Sequence, residues 1–151
     1  MEIGVADGEN ARKMVMAASR SSRAEEVEYY GFDVFGWNTD FQMQRIRQKL
    51  RQTGCRFKLF RGDSVEILPE VVKQLPVMDL IFIDGGHSFM TVKSDWENSK
   101  ALISEKTAVY FHNYDFSGPK RVVDNIPRDK YWVKILNPPS DSRIALVKKR
   151  S

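Results

Sequence analysis

The chain has 151 residues, a net charge of +4 and 42% hydrophobic residues. That length suits one domain, which at this size buries roughly 68–70% of its unfolded surface, and nine Phe, five Tyr and three Trp argue against disorder. No apolar stretch approaches the ~20 residues of a membrane helix, no basic-then-apolar leader follows Met1, and the lone Cys55 supplies neither an intrachain disulfide nor a zinc cluster. A cytoplasmic domain with no membrane partner is expected.

Residues 1–5, Met-Glu-Ile-Gly-Val, read as a short buried strand. Ala11, Met14, Val15 and Ala18 recur at helical spacing within residues 10–19. Residues 27–35 are rich in β-branched and aromatic side chains and read as a strand. Over residues 40–52, Phe41, Met43, Ile46 and Leu50 punctuate a charged background, which predicts a surface helix ending at Gly54. Residues 56–61 alternate as a strand. Residues 64–74 predict a short helix with Ser64 as N-cap and Val65, Leu68, Val71 and Val72 inward. Residues 78–83, Met-Asp-Leu-Ile-Phe-Ile, are the most apolar run and suit a central parallel strand. A helix over residues 88–102 and a buried strand over 107–111 follow. Residues 132–136 and 143–148 flank an Asn-Pro-Pro-Ser-Asp turn and read as an antiparallel hairpin. The pairs Phe89-Met90 and Asp95-Trp96 sit at helical spacing and read as core packing.

Strands separated by helices define βαβ units and a parallel sheet. The expected fold is α/β: a Rossmann-like, doubly wound, mostly parallel seven-stranded sheet with a C-terminal antiparallel hairpin, in three α/β/α layers. One domain spans residues 1–151, without repeats or linkers. Much of the positive charge lies in Arg45, Arg47, Lys49, Arg51 and the terminal Lys148-Lys149-Arg150. Such a cluster serves a nucleic-acid surface or simply a solvated helix face and tail, and no recognition motif accompanies it.

An open α/β sheet binds ligands at the carboxyl ends of its strands, so the residues just after each strand carry the functional reading. They are Gly4, Asp7 and Gly8; then Asp33; then Gly62, Asp63 and Ser64; then Asp84 and His87; then His112, Asn113 and Asp115. Glycines in the first group let the backbone turn tightly before a helix N-terminus. Their G-x-x-x-G spacing lacks the dinucleotide fingerprint. A carboxylate at Asp33 suits ribose hydroxyls, and one at Asp63 suits an adenine amino group or a helix N-cap. Residues 36–39 and 116–119 lie on the same rim as candidate substrate contacts.

These residues together resemble the class I S-adenosylmethionine-dependent methyltransferases. Glu2, Gly4 and Gly8 match that superfamily's glycine-rich first motif, with Ala6 where many members have Gly. Three segments, 30–35 (Tyr-Gly-Phe-Asp-Val-Phe), 62–69 (Gly-Asp-Ser-Val-Glu-Ile-Leu-Pro) and the Ile-Asp-Gly-Gly-His run that opens residues 83–95, are similar to the small-molecule O-methyltransferase family of macrocin-type and cephalosporin hydroxylase-like proteins. Residues 110–114 resemble its fifth-strand end. The resemblance covers nearly the whole chain.

The resemblance implies that S-adenosylmethionine is the cofactor, with Glu2, Gly4, Gly8, Asp33, Asp63, Ser64 and Asp84 lining it. It implies methylation of a small-molecule hydroxyl, with Asp84 and His87 catalytic and Asp84, His112 and Asn113 as ligands of Mg²⁺. Here the fifth-strand pair is His112-Asn113, without the family's carboxylate. Family members carry more chain before the position of Glu2, so the resemblance implies an N-terminally minimal domain. An RNA methyltransferase using the basic helix, and a catalytically impaired cofactor-binding or assembly module, are the alternatives. A homo-oligomer fits any of the three.

Overall fold

The computed structural model describes residues 1–36, 39–139 and 141–150, Thr39 by its backbone alone. Of the expected rim segment and hairpin turn, Trp37, Asn38, the Thr39 side chain and Ser140 therefore lie outside the described residues. The chain divides into two compact units, residues 2–63 and Met1 with residues 64–151.

The first unit runs β1 (Glu2–Ile3), α1 (Glu9–Ala18), β2 (Glu28–Asp33), α2 (Thr39–Arg51) and β3 (Arg56–Arg61). Its strands pair in parallel in the order β3-β2-β1. Asp33 lies opposite Arg61, so β2 and β3 end level. Strand β1 is shorter than the sequence predicts, because Gly4 turns into the left-handed region at φ +88°. Val15, Ile46 and Leu50 bring the apolar helix faces together with Tyr29 and Phe35 in one core. Phe41, one of the apolar positions of the predicted surface helix, is more than half exposed, with the Arg45 guanidinium 5.8 Å from its ring centre.

The second unit runs α3 (Ser64–Val71), β4 (Met78–Ile83), α4 (Phe89–Ser99), β5 (Ile103–Phe111), α5 (Ser117–Asp124), β6 (Tyr131–Leu136) and β7 (Ile144–Lys149). Its strands lie in the order β4-β5-β7-β6, with β4 and β5 parallel and the terminal hairpin antiparallel. Met1 joins the β4 ladder, donating to the Leu80 carbonyl at 2.8 Å and accepting from the Phe82 N–H at 2.9 Å. Trp96, buried as expected, packs on Phe111 and Tyr131 with ring centres 5.6 and 5.2 Å apart. The seven strands and five α-helices among the described residues match the expected fold class, hairpin included. No described helix is long and apolar enough to cross a membrane.

The differences have local causes. Helix α3 stops at Val71 and tightens into a 3-10 turn over Val72–Gln74, since Pro69 withholds an N–H from the ladder. Val65 faces outward rather than inward. Strand β5 begins four residues earlier than expected, at Ile103, where the buried Thr107 hydroxyl donates to the Met78 carbonyl at 2.5 Å. Met90 is 70% exposed and not core. Helix α4 starts after Ser88 as predicted, with the Ser88 Oγ accepting from the Thr91 N–H at 3.1 Å.

Helix α5 replaces an expected loop. Its Gly118-Pro119 pair reads as a loop signal, yet Pro fits a first helical turn, where its missing N–H has no intrahelical role. Gly118 has a separate reason: a Cβ there would stand 2.0 Å from the His87 carbonyl oxygen. Val122 and Val123 bury the helix behind that contact. Gly118→Ala is expected to destabilise the protein by roughly 1–3 kcal/mol through overpacking and to displace His87. A lowered urea midpoint together with a shifted His87 imidazole resonance checks it; a midpoint equal to the wild type contradicts the contact.

Candidate active site

Among the described residues three non-glycine positions occupy the left-handed region, Ala6 at φ +50°, Phe35 at φ +56° and Asn113 at φ +51°. Each follows the carboxyl end of a strand, β1, β2 and β5 respectively. Such conformations cost of order 1–3 kcal/mol and persist where surrounding contacts enforce them.

In the first unit the enforcing group is Asp33. Its Oδ2 accepts from the Val5 and Ala6 N–H groups at 2.8 and 2.9 Å, and its Oδ1 from the Phe35 N–H at 2.7 Å. A carboxylate has about four acceptor positions, and these bonds from described residues take three of them. Helix α2 holds the same loop from its other side. Ile46 lies under Gly8, whose φ is +77° and where a Cβ would come within 3.0 Å of it. Gln42 donates to the Ala6 carbonyl at 2.6 Å, and Lys49 donates to the Asp7 carbonyl at 2.8 Å and its carboxylate at 3.0 Å. The Glu9 backbone N–H, then the Lys49 ammonium, hold the Asp7 carboxyl below its ordinary value. Gln42 and Lys49 are missed by reading the sequence alone, where Lys49 counts toward a basic surface. Their signal is the spacing Gln42-Ile46-Lys49, one helix face that turns to the loop.

Glu2 is fully buried. Its carboxylate accepts from the Asn10 amide at 2.7 Å and from the Tyr29 hydroxyl. Burial first, and then the charge of Glu2, push the Tyr29 hydroxyl pKa well above its ordinary value. Glu2 thus ties β1, β2 and α1 together beneath the loop. The Gly62 N–H donates to the Asp33 carbonyl at 3.0 Å, and Asp63 follows at the surface. Ser64 opens α3 in the second unit.

The second unit gathers its own polar cluster. Asp84, after β4, receives His112 Nδ1 at 2.8 Å and lies 3.8 Å from His87 Nε2. Asn113 Nδ2 meets His87 Nε2 at 2.9 Å. The His87 ring stands edge-on to Phe116, with centres 4.9 Å apart. Asp141 and Ser142, preceding β7, complete the cluster: Asp141 Oδ1 lies 3.1 Å from His112 Nε2, and the Ser142 hydroxyl donates to Asn113 Oδ1 at 2.5 Å. The sequence places Asp84, His87, His112 and Asn113 at strand ends; it gives no sign of Asp141 and Ser142, about thirty residues further on. The Ser142 N–H, and behind it His112, hold the Asp141 carboxyl below its ordinary value.

The expected Mg²⁺ ligands were Asp84, His112 and Asn113. Both His112 nitrogens face carboxylates, the Asn113 oxygen accepts from Ser142, and Asp84 is the single carboxylate of the set. Magnesium prefers several oxygen ligands. Asp115, a further acid near these residues, is committed to Arg143, whose Nε donates at 2.6 Å and backbone N–H at 3.1 Å. Among the described residues no group of three or more His, Cys, Asp and Glu side chains is placed to hold a metal ion. This donor set does not fit magnesium.

Solved structures share the fold. The chain is similar to the TDP-rhamnose 3'-O-methyltransferase of calicheamicin biosynthesis, with a TM-score of 0.80 at 18% identity, covering 98% of this chain and 69% of that one. It is similar to an O-methyltransferase from Bacillus cereus in complex with SAH, with a TM-score of 0.76 at 12% identity over 99% and 72% of the two chains. A third likeness is to the O-methyltransferase TomG from Streptomyces achromogenes, involved in tomaymycin synthesis and solved with SAM, with a TM-score of 0.72 at 14% identity over 99% and 72%. No curated protein matches. The fold is therefore the Rossmann-like fold of class I methyltransferases. A family described as "Methyltransferase domain" matches residues 1–114, and the chain belongs to it: the protein is an S-adenosylmethionine-dependent methyltransferase.

The Arg143–Asp115 pair carries a pH prediction. The Arg143 guanidinium, then its backbone N–H, hold the Asp115 carboxyl below its ordinary value. A depressed folded-state value means the tie stabilises above the unfolded carboxyl pKa, about 3.9, and is lost as pH falls through the lower folded value. The Arg143 Nε–H resonance is expected to stay protected near neutrality and to exchange freely only well below about pH 4. In Asp115→Asn it is expected to be unprotected throughout, and protection there would contradict the pairing.

Proposed function

We propose that the chain, working as one methyltransferase domain in the cytoplasm, methylates a hydroxyl of a small-molecule acceptor. The observation that carries the proposal is the His87 imidazole, 40% exposed, held by Asn113 at 2.9 Å with the Asp84 carboxylate 3.8 Å away. That is a base beside a carboxylate, at a strand end where α/β ligands bind. The small-molecule O-methyltransferases of the same fold support the acceptor class, and the unpaired thiol Cys55 suits a reducing compartment.

The residues of the first unit fit a nucleoside cofactor. Gly4 and Gly8 keep the loop after β1 in a conformation where backbone meets ligand closely. Asp33 offers an acceptor position to a ribose hydroxyl, and Asp63, exposed beyond β3, offers one to the adenine amino group. Glu2 acts from beneath, holding the loop through Asn10 and Tyr29. Bound S-adenosylmethionine supplies an electrophilic methyl group on sulfonium. There His87 would take the acceptor's hydroxyl proton, and Asp84, 3.8 Å away, would face the imidazolium. Alignment supplies the greater part of the acceleration, and proton removal a factor of about 10²–10⁴. No magnesium step enters, because the donor set described above does not fit that ion.

Calorimetry with S-adenosylhomocysteine is expected to show saturable one-site binding to the wild type, weakened at least ~10-fold in Asp33→Ala by loss of a charged acceptor. Transfer of labelled methyl to a panel of small hydroxyl acceptors is expected to fall about 10²–10⁴-fold in His87→Ala. No heat with the folded wild type contradicts the cofactor assignment. Methylation confined to RNA contradicts the acceptor class.

A further inference from the structure

Ser142 belongs to no expected motif, yet it controls what His87 meets. Its hydroxyl donates to Asn113 Oδ1 at 2.5 Å, a short bond that turns the other end of the same amide, Nδ2, toward His87 Nε2 at 2.9 Å. An amide nitrogen only donates, so the imidazole nitrogen it faces must accept. The neutral ring then carries its hydrogen on Nδ1, for which no described residue is a hydrogen-bond partner, and keeps Nε2 free of hydrogen. Nε2 is also the nitrogen 3.8 Å from the Asp84 carboxylate.

We infer that Ser142 is a positioning residue, which fixes the Asn113 amide and through it holds His87 in the Nδ1–H tautomer, with the Nε2 lone pair accepting from that amide. The inference deepens the proposed function and rests on it for the role of His87. The main chain supports it. Asn113 sits in the left-handed region at φ +51°, which Asn tolerates better than most residues and which sets the amide between the two partners. Ser142 is itself anchored: its N–H donates to Asp141 Oδ1 at 2.8 Å, and the Arg143 carbonyl next to it accepts from the Tyr114 N–H at 2.8 Å. The hairpin end is thereby pinned to the segment after β5. Without the Ser142 hydroxyl, the Asp84 carboxylate 3.8 Å from Nε2 favours hydrogen on that nitrogen and, with it, the flipped amide. Flipped, Asn113 presents its oxygen to His87 and favours hydrogen on Nε2 instead.

The chain has two histidines, so imidazole nitrogen NMR of the uniformly labelled full chain resolves both rings. In mildly alkaline buffer the wild-type His87 is expected to show a protonated-type Nδ1 and an unprotonated-type Nε2. Ser142→Ala is expected to move the two signals toward the opposite assignment while the backbone amide spectrum stays that of the folded wild type. Ser142→Thr, which keeps the hydroxyl, is expected to restore the wild-type pattern. An Nε2–H tautomer in the wild type, or a His87 pattern untouched by Ser142→Ala, overturns the inference. Those results leave cofactor binding and methyl transfer unaffected. Failure of methyl transfer with the tautomer as described would instead remove His87 from catalysis and leave the Ser142 effect standing.

Discussion

Three backbone N–H groups from two separate strand ends converge on the carboxylate of Asp33, and the conformation of the glycine-rich loop depends on them. Ala6 and Phe35 are both left-handed, and both lie at or beside a donor to that carboxylate. Hydrogen bonds to a charged acceptor contribute more than neutral ones, roughly 1.5–3 kcal/mol each, which matches the strain they hold in place. The buried Glu2 beneath and Gln42, Ile46 and Lys49 alongside turn the loop into a fixed surface before any ligand arrives. A loop set in advance loses less entropy on binding. Asp33 therefore acts twice, as the clasp of the loop and as the acid that ends β2.

The second unit uses the same device with different groups. Asn113 is the left-handed residue there, and side chains rather than backbone donors hold it. Gly118 lets α5 approach the His87 carbonyl, and the ion pair of Arg143 with Asp115 draws the β6–β7 connection onto the segment after β5. Asp84 sits between two imidazoles, at hydrogen-bonding distance from His112 and further from His87. That difference separates their roles: His112 is locked between Asp84 and Asp141, whereas His87 is exposed and held through an amide.

Much of this was legible in the sequence, for identifiable reasons. The run Met78–Ile83 is apolar enough to be a strand in any context, and β-branched and aromatic residues with the right turns marked its neighbours. Chemistry-bearing residues clustered at five strand ends because an α/β sheet presents ligands there. What escaped were contacts made across long separations. Lys49 reads as solvated charge until a loop some forty residues away turns out to need its ammonium. Asp141 reads as a turn residue and Ser142 belongs to no motif until the hairpin brings them to His112 and Asn113. Helix α5 escaped because Gly118 and Pro119 punctuate loops, while here one admits a carbonyl and the other starts a helix. Of the expected magnesium set, one member is a carboxylate, one an imidazole facing two carboxylates and one an amide whose oxygen accepts from Ser142.

The central claim, that the Asp33 carboxylate clasps the loop, is tested most directly by amide hydrogen exchange at Val5 and Ala6. In the wild type both N–H groups are expected to be protected without ligand. In Asp33→Asn, which keeps the shape and removes the charge, both are expected to exchange about tenfold faster or more, as the loss of a charged acceptor implies, while the core amides of β2 and β3 keep their protection. Equal protection of Val5 and Ala6 in the two proteins would contradict the account.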